Sequence, residues 1–401
     1  MRTKKNYLLL ILLTAFTFSC TESFTIKTEH FESALIIEAT LTNELKYQEV
    51  KLSTTYALEE DTPVLETAAT VQITEDNQTT YTLIEIEDGL YRSTVKFKAV
   101  PNKEYQLKIT RSTGEAYESK KEKLTAISQI DDLYMTKELN TDGKEEIRLN
   151  VDSFDATNSS KFYRYTYEET YKISSPYWSA YDAIYHSITP PVVDTIYNRN
   201  NFIKKTCYNT RISNEIVITE TTGLTEDRVS KFIVRKILPN NYIIMHRYSI
   251  LLKQFVQTRE AHNYYKTLEK FSSSPENIFS QTQPGFIEGN IYSVTKSNER
   301  VIGLFEVSSV STKRVFYNYS DFDLEEIPDY PGGCKPVAPQ LVDEFGESIL
   351  IAFIQSGLWS FYQMNPDPIV AGVSGPYSMV KNDCNDCRIY GTTVKPSFWI
   401  D

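Results

Sequence analysis

A mainly β fold is predicted for this chain by three features of its sequence. Tyr and Phe are abundant, with 28 and 20 residues against 14 Gly and 16 Pro, a balance that favours strands and argues against disorder. Short runs of alternating polarity recur between polar turns from about Ala34 onward, and one segment alone carries the periodicity of an amphipathic helix. The expected architecture is an immunoglobulin-like β-sandwich over 34–127, followed by a larger β-rich domain over 128–401 with at least one inserted α-helix and a disulfide-bearing C-terminal segment.

Ahead of the sandwich stand Arg2, Lys4 and Lys5, a largely apolar run from Tyr7 to Phe18, and then Ser19-Cys20. A positive start, an apolar stretch too short to span a bilayer and a small residue before a cysteine read as a lipoprotein signal over 1–19, with 20–33 as anchor and tether. Cys20 is therefore the expected lipidation site; the alternative is an ordinary secretory signal with the cysteine incidental. A lipid chain contributes about 0.8 kcal/mol per buried methylene, so acylation would hold a folded chain at a membrane without a transmembrane helix. Loss of the three basic residues takes the net charge from −11 to about −14, a poor match to nucleic acid or an anionic lipid surface.

Within 34–127 the expected strands include Leu35 to Ala39, Val50 to Ser53, Val71 to Ile73 and Tyr105 to Ile109. Asp88-Gly89 between Leu83–Ile86 and Leu90-Tyr91 signals a hairpin. Beyond Ile130, Ile147 to Val151 alternates, and the strand from Phe162 to Ile173 places Tyr163, Tyr165 and Tyr167 on one face and Phe162, Arg164 and Thr166 on the other. Ser174 to Pro191 reads as a loop, because Pro190-Pro191 opposes regular structure; its Tyr177, Trp178, Tyr181 and Tyr185 make it the most aromatic loop and the best binding candidate. The bland alternative is that these rings fold back over the sheet. Strands resume near Ile216–Ile218, Phe232–Val234 and Tyr242–Leu252. A helix near 258–271 follows, capped by Thr258 and burying Ala261, Tyr264, Tyr265, Leu268 and Phe271. Val301 to Phe305 and Arg314 to Tyr319 read as two further strands, while Glu344 to Trp359 fits helix or strand.

Constellations that carry chemistry are scarce. Four histidines, His30, His186, His246 and His262, lack the spacing of a helical zinc pair, and structural or surface roles are expected for His246 and His262. Gly372-Val373-Ser374-Gly375 departs from a nucleophile elbow by one position, and adjacent acids such as Glu168-Glu169 and Asp131-Asp132 read as solvated faces. No catalytic residue, metal site or cofactor is therefore assigned. Cys207, Cys334, Cys384 and Cys387, an even set in an exported chain, are read as disulfide partners with three connectivities open. Zinc binding or a redox pair at Cys384-Asn385-Asp386-Cys387 are the sharper alternatives; Asp383 and Asp386 would disfavour the thiolate that redox chemistry needs.

Several stretches resemble the Bacteroidota lipoproteins grouped as domain of unknown function 4249. They are Cys20-Thr21-Glu22, Arg247 to Ile250 leading into Glu260-Ala261 and Tyr264-Tyr265, Pro284 to Ile291, and the ending Asp383 to Arg388, Gly391 to Thr393 and Lys395 to Trp399. The chain has Tyr390-Gly391 where the family pattern has a Gly-Gly pair. The resemblance implies an outer-membrane lipoprotein, attached through its N-terminal lipid and serving a TonB-dependent receptor as an accessory uptake subunit. An exported glycan or peptide hydrolase and a surface adhesin are the other readings.

Overall fold

The computed structural model describes residues 33–56, 62–272, 287, 289–324, 327–365 and 375–401. Cys20, the signal expected over 1–19 and Gly372-Val373-Ser374 lie outside them. The fold is mainly β, with one fifteen-stranded sheet, a three-stranded sheet and two two-stranded sheets among the described residues.

The first core forms where inward residues alternate along the strands. Leu35, Ile37, Ala39 and Leu41 of Leu35–Thr42 meet Val50 and Leu52 of Glu49–Thr54, Val71 and Ile73 of Thr70–Glu75, and Tyr105, Leu107 and Ile109 of Glu104–Thr110. Asp88-Gly89 joins Thr79–Glu87 to Leu90–Ser93, as the sequence predicts. Gly89 sits at φ +68°, and a Cβ there would lie 2.5 Å from the Leu52 carbonyl oxygen, so both conformation and space require glycine.

Strand Leu35–Thr42 also pairs in parallel with Val301–Tyr317, from Leu35 opposite Val301 to Thr42 opposite Ser308. The ladder continues from there through Tyr248–Val256 and Phe162–Ser174 to Thr206–Ile212. Val301–Tyr317 thus serves two cores, with Val301, Phe305 and Val307 in the first and Val315 and Tyr317 against the second. The two strands expected over 301–319 are this one strand. Its interruption in hydrophobicity at Glu306, Ser308, Ser309 and Ser311 reflects buried polar residues rather than a turn.

In the second core a three-stranded sheet, Ile130–Leu139, Glu145–Phe154 and Arg228–Ile237, contributes Leu133, Ile147, Leu149, Val151, Val229 and Val234. Facing them are Tyr163, Tyr165, Tyr167 and Tyr171 with Tyr248, Ile250 and Leu252. A buried tyrosine needs a partner for its hydroxyl. Tyr165 donates to Gln254 Oε1 at 3.1 Å, Tyr248 to Glu169 Oε2 at 2.9 Å, and Tyr163 has the Ser160 carbonyl and Asp227 Oδ1 each 2.8 Å away.

A third, small core joins Leu350, Phe361, Tyr377 and Met379. Its helix Ile349–Ser356 is capped by Ser348, whose Oγ accepts from Ile351 N, and ends at Gly357 with φ +65°. Strands Trp359–Met364 and Tyr377–Lys381 complete it. Of the segment read as an aromatic loop, the part with Tyr177 and Trp178 is irregular as expected, while the part from Tyr181 is a strand of a hairpin, Tyr181–Ile188 with Pro191–Tyr197, packed on this core through Ala183 and Val193. The proline pair does not break it, because Pro190 lies in the turn and Pro191 is the first residue of a strand, a position where proline is tolerated.

Candidate binding sites on the sheet face and the aromatic hairpin

Because side chains alternate, the tyrosine-bearing strand presents Arg164, Thr166 and Glu168 to its opposite face. In register beside them stand Phe255 and Lys253, and then Val310, Thr312 and Arg314. Two elements cover this polar face. At one end lies the helix Arg259–Ser272, started by Thr258, whose Oγ1 accepts from Ala261 N at 3.1 Å. At the other, the C-terminal segment places Phe398 under the Arg314 guanidinium, 3.5 Å from ring centre, and Trp399 against Tyr208 and Phe316.

Under the helix sits an ion pair. Arg164, 8 % exposed, donates from Nη2 to Glu306 Oε2 at 2.8 Å, and Glu306 is 3 % exposed. Gln257 Nε2 and Ser308 Oγ donate to the other Glu306 oxygen at 3.0 and 2.6 Å. The guanidinium also contacts the rings of Phe255 and Tyr265, 4.1 and 4.5 Å from their centres. Its Nε is buried without a partner. Burial lowers the proton affinity of this cation, but Glu306 and its neighbours outweigh that effect and keep Arg164 charged.

Beside this pair opens a cleft of about 570 Å³. Glu38, Thr40, Glu49 and Lys51 line it from the sheet, Tyr264, Tyr265 and Leu268 from the helix, Lys46 and Tyr47 from the turn after the first strand, and Ser213, Asn214 and Glu215 from a loop. Burial pushes the Tyr264 hydroxyl up to about 12, so it remains a neutral donor near pH 7. The sequence reading missed this site. The signal available was a pair of charged residues flanked by apolar or aromatic ones, Arg164 between Tyr163 and Tyr165 and Glu306 between Phe305 and Val307, where an unpaired charge is not tolerated.

The second candidate is the hairpin. Trp178 meets Phe202 edge-on at 5.0 Å, Phe202 meets Tyr197 at 6.4 Å, and Tyr197 meets Tyr181 at 5.7 Å. Tyr181, Tyr197 and Phe202 are 46, 55 and 50 % exposed. Asp182 fixes this array: its two carboxylate oxygens accept from Asn198 and Asn201 at 2.7 and 2.8 Å, and the Asn201 carbonyl accepts from Trp178 Nε1 at 2.6 Å. Lys205 lies 4.8 Å above the Trp178 ring. Of the four aromatic residues singled out from sequence, Trp178 and Tyr181 join this array. Tyr177 instead packs edge-on against Tyr362, and Tyr185 lies exposed farther along the hairpin. Ile188, Val192 and Ile196 add exposed apolar surface on the same hairpin.

The cysteines resolve into Cys207–Cys387 and Cys334–Cys384. Cys384 and Cys387 thus bond to different partners, and the Cys-x-x-Cys spacing reflects two crosslinks meeting at one short turn. Among the described residues no group of three or more His, Cys, Asp and Glu stands together as a metal ligand set. His262, on the helix, is buried against Phe162, and His246, in the bend before Tyr248–Val256, is half-buried; burial lowers the pKa of both.

No curated protein matches the chain. A family model described as domain of unknown function (DUF4249) matches residues 21–314, well over half of the sequence and including the strands that carry the cleft, and the chain belongs to that family.

Proposed function

We propose that this protein is a non-enzymatic binding subunit, held by lipid at Cys20 in the outer membrane of a Bacteroidota cell, and that it docks through its aromatic hairpin onto a TonB-dependent receptor. The observation that carries this reading is the array of exposed Tyr181, Tyr197 and Phe202 backed by half-buried Trp178. Exposed rings already held in place by Asp182 and its asparagine partners lose little freedom on binding, and large aromatic side chains dominate interface energetics. Support for the anchor comes from the basic, apolar and Ser19-Cys20 sequence, and from a family match that begins at residue 21. The residues from Thr21 to Ala34 extend at most about 50 Å, which keeps the folded chain near the lipid surface.

The test is affinity purification of the tagged chain from detergent-solubilised membranes. A receptor barrel is expected in near-equal amount with the unaltered chain and largely lost from the Trp178→Ala/Tyr197→Ala/Phe202→Ala variant. Absence of any barrel at any stoichiometry would refute the proposal.

A further inference from the structure

The cleft beside the helix Arg259–Ser272 is separate from the hairpin, and its chemistry points to a ligand class of its own. We propose that it binds a short stretch of neutral oligosaccharide. This holds whether or not the hairpin docks a receptor.

The volume of about 570 Å³ falls within the range of roughly 300–1,000 Å³ usual for small-molecule sites. Its charges argue against an ionic ligand. Three carboxylates, Glu38, Glu49 and Glu215, face three cations, Lys46, Lys51 and Arg164. Half are already engaged, Lys46 with Glu44 at 2.9 Å, Glu49 with Arg92 at 2.7 Å and Arg164 with Glu306 at 2.8 Å, while Glu38 and Lys51 stand directly opposite each other across the ladder. An anionic or cationic guest would therefore meet groups of its own sign as often as groups of the opposite sign, and would compete with partners already in place.

The backbone argues against an extended peptide. Strand Leu35–Thr42 on the cleft floor is paired on both sides, with Glu49–Thr54 and with Val301–Tyr317. Glu49–Thr54 in turn pairs with Leu90–Ser93. No free ladder edge faces the cleft along these strands, so a peptide cannot add as a further strand there.

What the cleft does offer is ring surface rimmed by small polar groups. Tyr47 is 45 % exposed at the mouth and Tyr264 is half-buried in the wall, with Thr40, Ser213 and Asn214 around them. A pyranose has one apolar face of C–H groups and an edge of hydroxyls, which matches the amphipathic character of tyrosine and the mixed donors and acceptors of the rim. Arg164 is fixed by Glu306 and by two rings, so it donates to a ring or hydroxyl oxygen without further ordering.

Isothermal titration of the full soluble chain checks this with linear hexasaccharides of α-1,4-glucose, β-1,4-glucose, β-1,4-xylose and β-1,4-mannose as probes. A hexamer of galacturonic acid and a tryptic digest of casein represent the ionic and peptide alternatives. At least one neutral hexasaccharide is expected to bind, and Tyr264→Ala and Tyr47→Ala are each expected to weaken it by about tenfold or more. Tyr47 lies on an exposed turn, so its replacement keeps the test valid should Tyr264→Ala disturb the helix. Trp178→Ala/Tyr197→Ala is expected to leave saccharide binding unchanged. Failure of all four neutral probes, binding confined to galacturonate or casein peptides, or affinity that survives both tyrosine variants would overturn the proposal.

Discussion

Replacing Arg164 exposes how much of this sheet face rests on one ion pair. In Arg164→Met the Glu306 carboxylate keeps the two donors on Oε1, from Gln257 and Ser308, but Oε2 loses the Arg164 guanidinium at 3 % exposure. Leaving one member of a buried pair uncompensated costs about 3–5 kcal/mol. Contacts of the guanidinium with Phe255 and Tyr265 add about 0.5–2 kcal/mol each, which the methionine side chain returns in part through its own packing. The expected loss is therefore about 4 kcal/mol, read from the shift in urea midpoint at unchanged slope. Adding Glu306→Gln removes the stranded charge and keeps an oxygen for Gln257 and Ser308, so the double variant should recover about 2 kcal/mol of that loss. A single variant within about 1 kcal/mol of the unaltered protein, or a double variant no better than the single, would contradict the account of Glu306 as a buried charge held by Arg164.

Three further outcomes follow from other parts of the molecule. Crosslinks spanning 180 and 50 residues restrict the unfolded chain by about 5 and about 4 kcal/mol in the chain-entropy estimate, less in combination because the loops overlap; reduction should lower the melting temperature markedly, and a non-reduced digest should yield Cys207–Cys387 and Cys334–Cys384 peptides and no Cys384–Cys387 link. Burial tends to raise the pKa of Asp155, but donors from Thr157 and Ser160 outweigh it and hold the carboxyl well below the usual range. Its stabilisation is fully present above the unfolded value of about 3.9 and disappears as pH falls through the lower folded value. Asp155→Asn should thus reduce stability at pH 7, with the difference from the unaltered protein shrinking as the pH is taken below about 4; a constant difference across that window would count against it. Gly89→Ala, at φ +68° and 2.5 Å from the Leu52 carbonyl, should cost about 2–4 kcal/mol by thermal or urea denaturation.

Local patterns carried the sequence reading where packing obeys them. The alternation of Tyr163, Tyr165 and Tyr167 against Arg164 and Thr166 is a period of two that any half-buried strand shows, and the structure buries those tyrosines on one face. Asp88-Gly89 and the Thr258-capped helix were legible for the same reason: turn and cap chemistry are local. The parallel pairing of Leu35–Thr42 with Val301–Tyr317 was not, because it joins segments from distant parts of the chain and leaves no trace in either strand's own pattern. The hairpin at Tyr181–Tyr197 was obscured by Pro190-Pro191, whose effect depends on whether a ladder donor is needed at those positions. Disulfide connectivity depends on which distant segments meet, and spacing does not encode that. The cleft combines residues from four strands, a helix, a turn and a loop, and only Arg164, with its buried partner Glu306, stood out along the chain.

The most direct test of the docking claim is site-specific photocrosslinking in intact outer membranes, with a photoreactive phenylalanine placed at Tyr197 and, as a control on a different exposed strand, at Ile84. The account predicts a crosslinked species of chain plus receptor barrel from position 197 and none from position 84. Equal crosslinking from both positions, or no barrel adduct from position 197, would contradict it.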